Sequence, residues 1–155
     1  MGAYTNSQGL QSVRDEIAAF ITERDGHKAH ADRIFLVNGA SDGVKLMMHC
    51  LLREQSNGFH DGMLTPIPQY PLYSAMLTLL GGALVPYHLD EQQDWGISLD
   101  ELKSSLRQAR ADGVCVRGIC VINPGNPTGS ILSEAEMRDI VQLVSAAYDS
   151  RAMIT

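Results

Sequence analysis

The residues best suited to chemistry fall in three short stretches. Asn123-Pro124-Gly125-Asn126-Pro127-Thr128-Gly129 packs two prolines and two glycines into seven residues. Proline fixes φ, so the path of the chain through this heptad is set, and its two asparagines are presented to solvent or ligand. An amide that donates to a phenolate-type oxygen holds that oxygen in its charged form. In the second stretch, Gly39-Ala40-Ser41-Asp42-Gly43, a predicted strand feeds a predicted helix. Glycine there lets the backbone approach a ligand closely. The free N–H groups of a helix start attract an anion such as phosphate, and Ser41 adds a hydroxyl donor. The plain alternative is an ordinary helix cap. In the third, Pro68-Gln69-Tyr70-Pro71, a tyrosine is held between prolines. A ring fixed in this way stacks on a flat aromatic ligand at small entropic cost. The alternative is a buried corner tyrosine.

The second stretch also spells G-x-S-x-G, the pattern of a hydrolase nucleophile elbow, which makes a serine hydrolase using Ser41 a rival reading. That chemistry needs an acid and then a histidine at strand ends further along. His49 falls inside a predicted helix, His60 in a polar loop, and His88 at a strand end with no acid before it in a matching setting. The rival also leaves the asparagine heptad unexplained. His27 and His30 are three apart but have no cysteine or acidic partner at zinc spacing, so they read as solvated loop residues and no metal site is expected.

Helices and strands alternate along the chain. Leu10, Val13, Ile17, Phe20 and Ile21 predict an amphipathic helix over 9–23, stopped by Asp25-Gly26. Residues 34–37 read as a short buried strand, and Val44, Met48, Leu51 and Leu52 as the face of a helix starting near Ser41 or Asp42. Further strands are expected at 62–66, 83–87 and 118–122, with a helix over 73–80 between the first two. Ser98 to Glu101 and Ser133 to Glu136 are capping boxes that open two more helices, and residues 152–155 look like the start of another strand. Apolar strands separated by helices give an α/β fold with a mostly parallel sheet covered on both sides. Ligands of such sheets sit beyond the carboxyl ends of the strands, where these three stretches fall.

Composition narrows the function. Of 155 residues, 45% are hydrophobic and 19% charged, the profile of a globular chain. Twelve Lys and Arg against eighteen Asp and Glu give a net charge of −6 with no basic run, which argues against nucleic acid as a partner. No apolar run reaches the roughly 20 residues that span a bilayer, so no membrane partner is expected. The three cysteines, Cys50, Cys115 and Cys120, read as small core residues of a reducing compartment.

The asparagine heptad after a buried strand resembles the pyridoxal-phosphate-dependent aminotransferases of fold type I. Gly39-Ala40-Ser41, the run from Pro66 to Ala75, Trp95-Gly96 and the run from Val121 to Gly129 resemble, in order and spacing, the alanine aminotransferases of that family. Gly2-Ala3-Tyr4 through Gly9 resembles the segment just upstream, so the likeness spans nearly the whole chain. It implies that Ala40 and Ser41 bind the phosphate of pyridoxal 5'-phosphate, that Tyr70 stacks on its ring and that Asn126 donates to its phenolic oxygen. Tyr4 matches a tyrosine that reaches the cofactor of a neighbouring subunit, which implies a homodimer. The implied activity moves the amino group of L-alanine to 2-oxoglutarate, in the cytoplasm or the mitochondrial matrix. The family's ring-nitrogen aspartate, cofactor lysine and substrate arginine come later in its pattern than Thr155. The resemblance therefore implies an internal fragment of the large, cofactor-binding domain, inactive alone, with the small domain absent. Lys28, Lys45 and Lys103 do not match the lysine motif and read as surface residues. A non-catalytic interaction domain is the remaining alternative.

Overall fold

The computed structural model describes residues 6–53, 58 and 60–152. They fall into two compact units, Met1–Val44 and Lys45–Thr155.

The first unit contains α1 (Gln11–Asp25), a 3-10 turn at Ala31–Arg33 and the first turn of α2 (Ala40–Leu51). α1 starts and ends two residues later than its spacing predicts, closing on Gly26 with φ of 69°. Its apolar face finds little cover within this unit: Phe20 is 61% exposed. The buried side chains of α1 are Arg14 and Ala18. Among the described residues no carboxylate pairs with the Arg14 guanidinium. It donates instead to the Gly9 and Ala31 carbonyls (3.3 and 2.8 Å) and to the side-chain oxygens of Gln8 and Gln11 (3.3 and 2.6 Å). A buried charge survives when its donors are satisfied, and here neutral oxygens do it, tying the chain before α1 to the turn after it. The expected strand at 34–37 does not form. A strand needs a partner for its alternate backbone groups. Among the described residues this segment makes only a local turn bond, from the Ile34 N–H to the Ala31 carbonyl (3.3 Å), and one longer-range bond, from the Leu36 N–H to the Gln8 carbonyl (2.9 Å), and Phe35 is 64% exposed.

The second unit is built on β1 (Asp61–Ile67), β2 (Ala83–His88) and β3 (Cys115–Ile119), in the order β2–β1–β3. Both pairings are parallel. α3 (Leu72–Leu80), α4 (Leu99–Ala111) and α5 (Glu134–Ala152) complete it. β3 lies about three residues earlier than predicted. Arg117 looks like a break in the apolar run, but its Nε donates to the Leu51 carbonyl (3.0 Å) and lies 3.8 Å from Asp61, so the strand accommodates it. α5 runs through Ala152, where a strand was expected to begin; Met153, Ile154 and Thr155 lie outside the described residues.

Alternate residues of β1 serve opposite faces, as strand geometry demands. Leu64 joins Val85, Tyr87, Val116, Leu102, Ala109 and Ile140 in the core beneath α4 and α5. Met63 turns the other way, toward Gly118, near Leu51 of α2. α3 packs on β1 and β2, burying Met76 and Leu77. Helices therefore cover both faces of a parallel sheet, as expected.

One capping box forms fully. The Ser133 N–H donates to the Glu136 carboxylate (2.7 Å), and the Glu136 N–H donates to Ser133 Oγ (3.3 Å). The other is half-formed. The Glu101 N–H donates to Ser98 Oγ, but the Glu101 carboxylate turns to His88, meeting its backbone N–H and its Nδ1, each at 3.0 Å. These bonds hold the Glu101 carboxyl below its usual range, chiefly through the His88 N–H. That contact lies on the open edge of β2. The Leu89 N–H points inward to Ile67, so Leu84, Pro86 and His88 point outward. Pro86 has no N–H, and that of His88 is capped by Glu101.

Candidate cofactor site

In the first unit, the chain enters α2 through Gly39, whose φ of 125° suits glycine, and whose missing Cβ leaves open space. The Asp42 and Gly43 N–H groups both return to the Gly39 carbonyl (3.1 and 3.2 Å). The N–H groups of Ala40 and Ser41 and the Ser41 hydroxyl make no hydrogen bond among the described residues, and both residues are exposed. Unpartnered donors at the positive end of a helix suit an anion. The loop does not form a nucleophile elbow, because no strand feeds it. Neither the structure nor the relatives described below support a hydrolase role for Ser41.

In the second unit, β1 carries Pro66 next to its last residue and runs into a cis Ile67-Pro68 bond and Tyr70, and Pro71 then caps α3. Tyr70 is 48% exposed, not a buried corner residue, and its hydroxyl makes no hydrogen bond among the described residues. Beside it, Gln69 carries a buried Oε1 that meets no donor among the described residues. The asparagine heptad follows β3. Its Asn123-Pro124 and Asn126-Pro127 bonds are cis. The Gly125 N–H donates to the Ser130 carbonyl (2.8 Å) and the Gly129 N–H to the Gly125 carbonyl (2.7 Å). A Cβ on Gly125 would stand 2.3 Å from Thr128 Oγ1, so glycine is required for this closure. Both asparagines are exposed, as expected, but they are not equivalent. Asn123 Oδ1 accepts the Leu132 N–H (3.1 Å) and braces the loop. Asn126 is exposed, with its amide free among the described residues. It shares a narrow cavity with Pro66 and Pro68, so the proline corner and the heptad meet at the carboxyl ends of β1 and β3.

Three groups to which sequence reasoning assigned no role in the site lie below these loops. Tyr87 is 1% exposed and donates to the Cys120 carbonyl (2.8 Å). Burial raises its pKa. Burial, with Cys120 nearby, pushes the Tyr73 hydroxyl up to about 12, and burial pushes the Cys120 thiol up to about 11. Burial thus favours the protonated form of all three, and Tyr87 serves as a hydrogen-bond donor in the wall below the loops. The only sign of them in the sequence was an apolar setting. Tyr4 lies outside the described residues. Lys28, Lys45 and Lys103 are exposed.

In the second unit, a free aromatic ring and a free amide stand at the carboxyl ends of a parallel sheet, the place where α/β folds bind their ligands; the first unit carries an anion-suited helix start. Residues 1–151 match the profile of "Aminotransferase class I and II", and the chain belongs to that family. It is 51% identical over 142 residues to glutamate–glyoxylate aminotransferase 2 of Arabidopsis thaliana, covering 92% of this chain and 29% of that protein. It is 54% identical over 141 residues to alanine aminotransferase 2 of Panicum miliaceum, covering 91% of this chain and 28% of that protein. Among solved structures, an alanine aminotransferase from Pyrococcus furiosus superposes with a TM-score of 0.79 at 26% identity, over 93% of this chain and 34% of that one. The chain thus spans about three-tenths of the length of the curated relatives it matches.

Proposed function

We propose that this chain forms one wall of the pyridoxal 5'-phosphate site of an amino-acid transaminase, as part of the large domain of a longer parent. The observation that carries the reading is Asn126, an exposed amide with no partner among the described residues, at the crown of a loop in which Asn123 Oδ1 and Thr128 Oγ1 are engaged in the loop's own closure. The residues present fit the group: free N–H donors at Ala40 and Ser41 for its phosphate, an open ring at Tyr70 for its face and an amide at Asn126 for its phenolic oxygen. When bound, this cofactor supplies an electron-accepting ring for chemistry at the amino acid's α-carbon. The chain's own residues bind and orient it. They move no proton themselves: Tyr73 and Cys120 hold theirs too tightly, and the three lysines lie on the surface.

The parent reaction we propose is L-alanine plus 2-oxoglutarate to pyruvate plus L-glutamate, in a homodimer to which Tyr4 contributes across the subunit boundary. The compartment is cytoplasmic or mitochondrial; two Arabidopsis relatives are named as mitochondrial. The comparable identity to a glutamate–glyoxylate enzyme favours a second reading in which glyoxylate is the amino acceptor. Parallel assays of the parent with each oxo acid separate the two.

Titration of the purified chain with pyridoxal 5'-phosphate, followed by absorbance, tests the site directly. Each retained contact contributes roughly 1–3 kcal/mol at best, much of it offset by ordering. Binding is therefore expected to be weak and reversible, weaker still in Asn126→Ala and Ser41→Ala, with no pyruvate released from alanine. Affinity untouched by both substitutions would sink the assignment. Stoichiometric borohydride trapping on Lys28, Lys45 or Lys103 with alanine-dependent pyruvate release would mean that the chain carries its own catalytic lysine.

A further inference from the structure

Trp95 is the only tryptophan in the chain, and neither the fold nor the cofactor contacts account for where it is held. It sits in an excursion between β2 and α4. A 3-10 turn at Glu91–Gln93 is followed by two non-glycine residues with positive φ, Asp94 at 55° and Trp95 at 62°. For a bulky side chain this conformation is uncommon and costly, and it persists where surrounding bonds over-determine it. They do so here through Asp90. Its carbonyl accepts the Trp95 N–H (2.8 Å), its N–H donates to the Gly96 carbonyl (3.1 Å), and its carboxylate accepts from the Gln92 N–H and from Gln93 Nε2 (both 2.9 Å). The turn fits closely at its far end too. A Cβ on Gly96 would stand 3.1 Å from the Gln93 carbonyl and 3.5 Å from the Glu136 carboxylate, the cap of α5.

Trp95, held by this clamp, lines the same narrow cavity as Gly125, Asn126, Ser130 and Leu132. These residues are the closure of the asparagine loop and the start of the stretch that braces it. We infer that Trp95 is a positioning residue: its ring forms the wall against which residues 125–132 close, and so sets where the Asn126 amide points. Side chains that bind a ligand need such support, since an amide free to swing loses much of its bond to ordering. The strain spent at Asp94 and Trp95 thus has a use some thirty residues away in sequence. This inference rests on the cofactor reading of Asn126 for its functional meaning, though not for the contact itself.

Two measurements on the whole chain separate those layers. The first is hydrogen exchange without cofactor. Trp95→Ala is expected to speed exchange of the Gly125 and Gly129 amides about tenfold or more, since local opening is what protects them. The amide of Cys120 at the end of β3, which donates inward to the Leu64 carbonyl of β1 (2.8 Å), should keep its protection. Trp95→Phe, which keeps a ring, should restore most of the loop's protection; a variant that merely failed to fold would lose the Cys120 amide as well. The second is affinity for pyridoxal 5'-phosphate. Trp95→Ala is expected to weaken it about three- to tenfold, and to add nothing in an Asn126→Ala background. Unchanged exchange at Gly125 and Gly129 in Trp95→Ala overturns the inference, as do additive losses in the double variant. Faster loop exchange, with affinity indifferent to Asn126→Ala, would instead uphold the contact and overturn the cofactor reading.

Discussion

The Tyr87 hydroxyl reaches the Cys120 carbonyl across the top of the core, in a ring that is 1% exposed. Tyr87→Phe leaves that carbonyl without its donor while keeping the packing. It should cost about 1–2 kcal/mol, which at this chain length lowers Tm by a few degrees in a thermal melt. No change in Tm would mean that the hydroxyl contributes nothing net. At this scale the sequence was partly legible. Residue types and spacing identified the asparagine heptad, the serine at a helix start and the tyrosine between prolines. They could not divide labour within the heptad, because Asn123 and Asn126 have the same chemistry, and what separates them is that the Leu132 N–H falls beside one of them. Trp95 was equally opaque. Its left-handed φ depends on bonds to Asp90 that no local pattern announces.

Among the elements, β1 is tied to its surroundings by a charge. The Asp61 carboxylate, 2% exposed at the start of the strand, accepts from the Arg53 backbone N–H (2.9 Å) and from its guanidinium (2.9 and 2.6 Å). Arg53 holds its pKa below the ordinary carboxylate range. A depressed folded-state value means that this stabilisation is full above the unfolded-state pKa of about 3.9 and drains away as pH falls through the folded value. Urea melts over an acid series should therefore show stability dropping below about pH 4 in the native chain, and a flatter acid limb in Asp61→Asn. Equal limbs would refute the role given to this pair. The alternation of helix and strand, the parallel sheet and most element ends were readable because apolar runs, glycine stops and capping serines are local signals. Two elements were not. Residues 34–37 have the apolar run of a strand, but a strand is a property of a pair, and no partner ladder forms among the described residues. β3 was read too late because Arg117 hides its place in the strand until the Leu51 carbonyl and Asp61 are seen beside it.

For the molecule as a whole, apolar surface is the leading fact. Phe20 and Phe35 in the first unit are exposed, as are Leu79, Ile131 and Val141 in the second, at 61, 64, 74, 75 and 64%. Exposed apolar area on this scale marks contact surface, so the isolated chain is expected to self-associate in sedimentation experiments at micromolar concentration. A clean monomer with a sharp melt would show that these faces need no cover. The manner of association is not arbitrary. On the β2 side, an incoming strand would meet Pro86, which offers no donor, and His88, whose donor is already taken by Glu101. On the β3 side, no strand is paired among the described residues, and a groove lined by Leu64, Val116, Leu106, Leu143 and Val144 lies open next to it. The sheet is thus like a zipper with a stop sewn at one end. On the β2 side only the Leu84 N–H among the three outward positions is left to a new strand, so entry is favoured from the β3 side, and substituting Glu101 or Pro86 would weaken the stop.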